Sequence, residues 1–140
     1  MSDEAEIQRV ITSYSQFASK GDWGRVRPLF LPEAVWEIPH LGMKLDGREA
    51  IAETLLRFKQ TMEYVLQINC PALIEVDGDS ARATSAIREC GKSAGKDEGF
   101  EYLGIYADEL VRTDKDWQFR YRIFEGIGSH LFALTSGVSH

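Results

Sequence analysis

Tyr102–Ile127, YLGIYADELVRTDKDWQFRYRIFEGI, reads as two long β-strands joined by a tight turn at Asp114–Lys115. Side chains two apart on a strand share a face. Pairing Thr113 with Asp116 sets Arg112 against Trp117, Leu110 against Phe119, Asp108 against Tyr121 and Tyr106 against Ile123. That row is mostly apolar and is predicted to face the core. The other row carries Glu109 against Arg120, a cross-strand ion pair suited to water. Asp108 is the exception on the apolar row. A buried carboxylate needs hydrogen bonds, or its pKa rises and it keeps its proton.

Upstream lies a second hairpin. Tyr64–Val76 is a strand, Gly78–Asp79 within DGDS is a two-residue turn, and Ala81–Lys92 returns antiparallel. This register pairs Glu75 with Arg82 at the surface, and Ile74 and Val76 with Ala83 and Ala81 on the core face. It sets Cys70 against Ile87 and Cys90 against Gln67, so the two cysteines are not partners and read as reduced thiols in packed strands. Pro71 interrupts the first arm and marks an edge or a bulge. Ser93–Gly99 reads as a polar loop and His130–His140 as a loose tail.

The first half of the chain is helical. Ser2 or Asp3 can cap a helix whose stripe is Ile7, Val10, Ile11, Tyr14 and Phe17. Lys20–Gly21 ends it. Asp22 is placed to cap a short second helix that Pro32 stops, with Trp23, Val26, Leu29 and Phe30 buried. Ala34–Ile38 is a short strand with Trp36 and Ile38 on one face, and Leu41–Leu45 a loop or edge strand. Arg48 to about Met62 is a third helix, with Ile51, Leu55, Leu56 and Phe58 apolar. Helices first and strands after give an α+β fold, with the helices on one face of a curved, mostly antiparallel sheet.

The 140 residues suit one domain spanning 1–140. A net charge of −6 argues against a nucleic-acid groove or an anionic membrane patch. No apolar run is long enough to span a bilayer. MSDEAEIQ lacks the basic and apolar regions of a signal peptide, so a cytoplasmic location is expected. His40, His130 and His140 have no metal-ligand spacing, and no metal is expected.

Four stretches in order, SKGDWGRVRPLFLPEAVWEI (Ser19–Ile38), DGREAI (Asp46–Ile51), VDGDSARA (Val76–Ala83) and YADELVRTDKDWQFRYR (Tyr106–Arg122), resemble the SnoaL-like group of the nuclear transport factor 2 superfamily. The resemblance covers about Glu6 to His130. It implies a cone-shaped α+β fold with three helices closing one side of a curved sheet around an apolar pocket, and a homodimer formed through the sheet. Members of this group include scytalone dehydratase, a bile-acid dehydratase, a hexachlorocyclohexane dehydrochlorinase, ketosteroid isomerases and polyketide cyclases. Oxygenase β-subunits share the fold without chemistry of their own.

The dehydratase-like members use an aspartate-supported histidine as base, with tyrosines polarising a substrate oxygen. By that resemblance Asp22 holds the aspartate position and Tyr14 the position of a polarising tyrosine, while Gln67 stands where the histidine is expected. A second histidine position falls near Arg88 or Glu89. Glutamine can hydrogen-bond a substrate but takes no proton at neutral pH. An unbroken count from Val76 puts Gln67 outside, whereas a bulge at Cys70–Pro71 turns it inward. The inward reading is adopted because a curved cone needs such a bend.

Each candidate has a plain structural alternative. Asp22 is a catalytic carboxylate or a helix cap. Asp108 is a proton-transfer group or a carboxylate satisfied by Tyr106, Tyr121 or a backbone amide. Tyr14 polarises substrate or is core. Phe17, Trp36, Gln67, Tyr106 and Tyr121 are expected at the substrate. Arg88 reads as an outer-face residue, and His40 as a solvated loop residue or one at the pocket mouth. The catalytic expectation is therefore Tyr14, Asp22 and Asp108 in a cofactor-independent lyase or isomerase acting on a small apolar cyclic substrate. The rivals are a non-catalytic binding or assembly module and a subunit docking on an oxygenase.

Overall fold

The computed structural model describes residues 1–134. Helix α1, Asp3–Lys20, begins where the Ser2 hydroxyl accepts from the Ala5 amide at 3.1 Å. It ends at Gly21, whose left-handed φ of 71° lets its amide reach the Ala18 carbonyl. Ile7, Val10, Ile11, Tyr14 and Ala18 form its buried stripe. Helix α2 is a single turn, Trp23–Val26, continued by a 3-10 turn at Arg27–Leu29. Strand β1, Phe30–Ile38, starts earlier than expected and contains Pro32, so the proline lies within the strand instead of stopping the helix. A register shift between Phe30 and Val35 accommodates it.

A 3-10 turn at Pro39–Leu41 leads to β2, Met43–Asp46, and then to α3, Arg48–Gln60. Ile51, Ala52 and Leu55 of α3 are buried, while Leu56, expected on the same stripe, is exposed. The remaining strands are β3 Met62–Asn69, β4 Leu73–Asp77, β5 Ser80–Ser93, β6 Glu98–Arg112 and β7 Trp117–Ala133. The sheet order is β2-β1-β7-β6-β5-β3, with β4 also paired to β5. β1 and β7 run parallel, and the other pairings are antiparallel. The side chains of α1, α2 and α3 meet the inner face of this sheet in one cluster that includes Ile7, Ile11, Ile51, Ala83, Leu110 and Phe119.

The break between β3 and β4 is the bend expected at Cys70–Pro71. β4 keeps the expected register, Glu75 against Arg82 and Val76 against Ala81. Past the break the register moves by one, so Asn69, not Cys70, faces Ile87, and Leu66, not Gln67, faces Cys90. Gln67 then pairs with Glu89 and turns inward.

The β6–β7 hairpin is longer than Tyr102–Ile127 and takes in His130–Ala133 as strand, correcting the tail reading there; residues 135–140 lie outside the described residues. Its register is as expected from Arg112–Trp117 to Leu110–Phe119. Arg120 is then an extra residue on β7, and the pairing slips by one. Asp108 faces Arg122 instead of Tyr121, and Tyr106 faces Phe124 instead of Ile123. A second bulge lies between Leu103 and Gly104. A Cβ on Gly104 would come within 2.5 Å of the Phe124 ring, so glycine lets that ring lie inward at the bend.

Candidate functional site

The open end of the cone holds a cavity of about 330 Å³ between the helices and the inner face of β1, β3 and β5–β7. Its lining is mostly apolar and aromatic, with Trp23, Trp36, Leu55, Phe58 and Phe124 among the walls. Among its polar groups are Tyr14 from α1, Gln67 from β3, Glu89 from β5, and Tyr102 and Tyr106 from β6. A few convergent polar groups in an apolar cavity are the usual form of a small-molecule site.

Gln67 and Glu89 are cross-strand neighbours, and the Gln67 side-chain amide donates to Glu89 Oε2 at 2.9 Å. Burial raises the Glu89 pKa above the ordinary carboxyl range, and the Gln67 bond holds it back. The partner is a neutral amide. Among the described residues Glu89 therefore has no counter-charge pinning it as a carboxylate, and it remains partly accessible, bordering the cavity.

Tyr14 and Tyr106 are buried and meet edge to face, with ring centroids 6.0 Å apart. Burial pushes Tyr14 up to about 12 and Tyr106 well above 10; Arg122 pulls both down, and Glu89 pushes both up. Both phenols are neutral donors at physiological pH. The Glu89 charge is felt at Tyr102 too, whose pKa burial also raises.

Of the expected site residues, Tyr14, Trp36, Gln67 and Tyr106 line this cavity. Asp22 does not. Its side chain makes no cap hydrogen bond; its backbone carbonyl starts α2, and the carboxylate pairs with Arg25 at 3.5 Å, 40 % exposed. Phe17 faces the same surface, 5.4 Å beneath the Arg25 guanidinium, outside the lining. Tyr121 is turned to the opposite sheet face from Arg122 by the Arg120 bulge, and its hydroxyl bonds Glu37.

Asp108 is sealed. Its partner is none of the expected ones but Arg122 Nε, 2.9 Å from Oδ1, and both side chains are 0 % exposed. Burial pushes Asp108 up to about 6 against the pull of Arg122. His40 lies at the cavity, its ring 5.9 Å from Phe124. Arg88 is outside, paired with Glu101 at 2.5 Å.

Arg122 is not a candidate from sequence, and Glu89 enters there only as a position near the family's second histidine. For Glu89 a usable signal exists, because counting by twos from Ala81 and Ala83 puts it on the core face. For Arg122 the count fails at the Arg120 bulge.

The SnoaL-like domain family model matches residues 1–123. No curated protein matches the sequence at a significant level. Among solved structures, a candidate scytalone dehydratase from Novosphingobium aromaticivorans superposes with a TM-score of 0.84 at 19 % identity, covering 97 % of this chain and 94 % of that one. A hexachlorocyclohexane dehydrochlorinase, LinA type 2, gives 0.83 at 18 % identity, covering 96 % and 94 %. A cystatin-like protein from Nostoc punctiforme gives 0.74 at 14 % identity, covering 88 % and 90 %. At these identities the likeness is one of fold, the nuclear transport factor 2-like, cystatin-like α+β cone. Among the described residues no helix is long and apolar enough to cross a membrane.

Proposed function

The chain belongs to the SnoaL-like domain family, and from that premise we propose that it is a cofactor-independent lyase or isomerase in which Glu89 moves the proton. The observation that carries this reading is the Glu89 carboxyl, raised by burial, bonded among the described residues to a neutral amide and facing an apolar cavity beside two phenols. A base is most effective when its pKa lies near the working pH. The ionised Glu89 takes a proton from the carbon next to a substrate carbonyl. The electron pair moves onto the carbonyl oxygen, which accepts hydrogen bonds from Tyr14 and Tyr106. Where the substrate carries a β,γ double bond, the dienolate takes the proton back from Glu89 at the γ-carbon; where it carries a β-hydroxyl, that hydroxyl is expelled and Glu89 protonates it. The first path isomerises and the second dehydrates; neither consumes a cofactor. A cavity of about 330 Å³ walled by tryptophans and phenylalanines suits a small, largely apolar cyclic ketone.

The test is a panel of cyclic hydroxyketones, steroids and polyketides incubated with the protein, the bound and free species being identified by mass and retention. The expected result is one class converted by the wild type and not by Glu89→Gln. Conversion by both proteins alike sinks the assignment of Glu89. The amide at Gln67 favours a second reading, a non-catalytic binding module; its signature is a panel member recovered bound and unchanged.

We also propose that two copies associate through the outer sheet face. Leu66 and Ile68 of β3 and Leu103 of β6 are 53, 45 and 38 % exposed there, with Arg88 of β5 between Ile68 and Leu103. Sedimentation equilibrium should find a dimer that Ile68→Lys disperses; a monomeric wild type at all concentrations removes the proposal.

A further inference from the structure

Arg122 has no path to water and no step in the proton transfer above, yet it lies directly behind the two phenols of the cavity. Its guanidinium carbon is 3.6 Å from the Tyr106 ring centre and 4.2 Å from that of Tyr14, and Phe119 closes a third side at 4.6 Å. Asp108 is its counter-charge, 2.9 Å from Nε. Among the described residues none of its three nitrogens has a partner in hydrogen-bond geometry. A buried guanidinium is ordinarily held by a fan of hydrogen bonds to acceptors. This one is held by ring faces.

A cation on the face of a ring is bound by the ring's electron density and draws on it in return. Two of the three rings, Tyr14 and Tyr106, belong to residues that line the cavity. We propose that Arg122 is a positioning residue that tunes Tyr14 and Tyr106 as hydrogen-bond donors, its charge strengthening both phenols toward a substrate oxygen that gains negative charge. This rests on the reading of the cavity as an active site. Arg122 itself touches no substrate. Asp108 does not cancel its field at the phenols: on Tyr14 the pull of Arg122 is second only to burial, and the push from Asp108 is the smallest of the influences acting there.

The consequence can be measured without a substrate. The chain has five tyrosines. Replacing them biosynthetically with difluorotyrosine, whose phenol ionises near neutrality, makes each one a fluorine NMR titration, assigned with Tyr14→Phe and Tyr106→Phe. The double variant Asp108→Asn/Arg122→Met removes both charges at similar volume. It should weaken the ionisation of Tyr14 and Tyr106 by at least about tenfold, one pKa unit, and leave exposed Tyr64 where it was. Asp108→Asn alone removes the anion and keeps the cation, so the Tyr14 midpoint should fall slightly or stay where it was, and not rise. Arg122→Lys keeps a charge and should lie nearer the wild type than the double variant does.

A folded double variant with unchanged Tyr14 and Tyr106 midpoints overturns the proposal, as does a Tyr64 midpoint that moves equally. Should the double variant misfold, Asp108→Asn/Arg122→Gln is read in the same way, and unchanged Tyr14 and Tyr106 midpoints in it overturn the proposal. Failure of the enzyme reading has a different signature, a substrate panel left unconverted while the phenols still respond to Arg122.

Discussion

Asp108 and Glu89 are both carboxyls on the inner face of one sheet, on neighbouring strands, and burial lifts the pKa of each. Their surroundings differ in two respects. Asp108 is sealed and has a full counter-charge in Arg122. Glu89 borders the cavity and has a neutral amide in Gln67. A sealed ion pair can exchange nothing with a ligand, however perturbed its pKa. A carboxyl with a weak partner and an open side can take a proton and give it back. A perturbed pKa therefore points to function only when solvent or substrate can reach the group.

The sharpest way to break this contrast is by turnover. On whichever substrate the panel yields, Glu89→Gln should lose about a hundred- to ten-thousandfold in kcat, the span of a general acid–base contribution. Asp108→Asn should stay within about tenfold, or 1.4 kcal/mol of barrier. Initial rates on folded variants decide it. Equal losses would mean that Asp108, despite its burial, belongs to the chemistry.

Next in size is stability. Arg122→Met leaves Asp108 buried and unpaired, which should cost about 3–5 kcal/mol in urea unfolding near neutral pH. The loss should shrink at lower pH, where the lone carboxyl takes up a proton. Removing both charges in Asp108→Asn/Arg122→Met should recover most of it, since neutral groups of similar volume commonly replace a buried pair without loss. A double variant no more stable than Arg122→Met would show that the guanidinium's ring contacts, not its pairing, hold this region together.

The wild type carries a smaller signature in its pH dependence. Asp108 titrates at about 6 in the folded protein against an ordinary 3.8. The folded state thus binds this proton more tightly than the unfolded state does. Between those two values the fold loses stability as pH rises, and above about 6 the contribution is constant. Urea midpoints from pH 4 to 7 should slope downward in the wild type and less so in Asp108→Asn. Glu89 is shifted in the same direction, so a remaining slope should vanish in Glu89→Gln. A slope unaffected by either change would assign the effect to other groups.

How far the sequence reached depends on whether a strand could be counted by twos without interruption. The α+β class, the helical stripe of α1, the Gly78–Asp79 turn and the pairing of β4 with β5 follow from local periodicity and turn chemistry, and the structure has them. Gln67 was recoverable because Pro71 announces its bend. Arg120 announces nothing: it is a polar residue in a polar row, and the extra residue shows only when both strands are seen together. That one slip moved Tyr121 off the inner face and brought Arg122 onto it, leaving Asp108 with a partner no side-chain pattern had suggested. Asp22 was misplaced for another reason. A helix-start aspartate is expected to turn its carboxylate toward the first amides, but this α2 is one turn long and Arg25 competes for the same oxygens.

The smallest expected effect lies one residue away from the sealed pair. Glu109 and Arg120, 3.4 Å apart, form the same kind of ion pair as Asp108 and Arg122, on the same two strands, but both ends stand in water. Both ends keep contact with water, at 49 and 39 % exposure, so little is lost by leaving one end alone, and mobile ions screen what attraction remains. A double-mutant cycle on Glu109→Ala and Arg120→Ala should give a coupling of at most about 1 kcal/mol that fades at high salt. The corresponding cycle on Asp108 and Arg122 should give a larger coupling that salt hardly changes. If the two cycles agree in size and salt response, burial is not what separates these pairs, and the contrast between a sealed carboxyl and an open one loses its electrostatic basis.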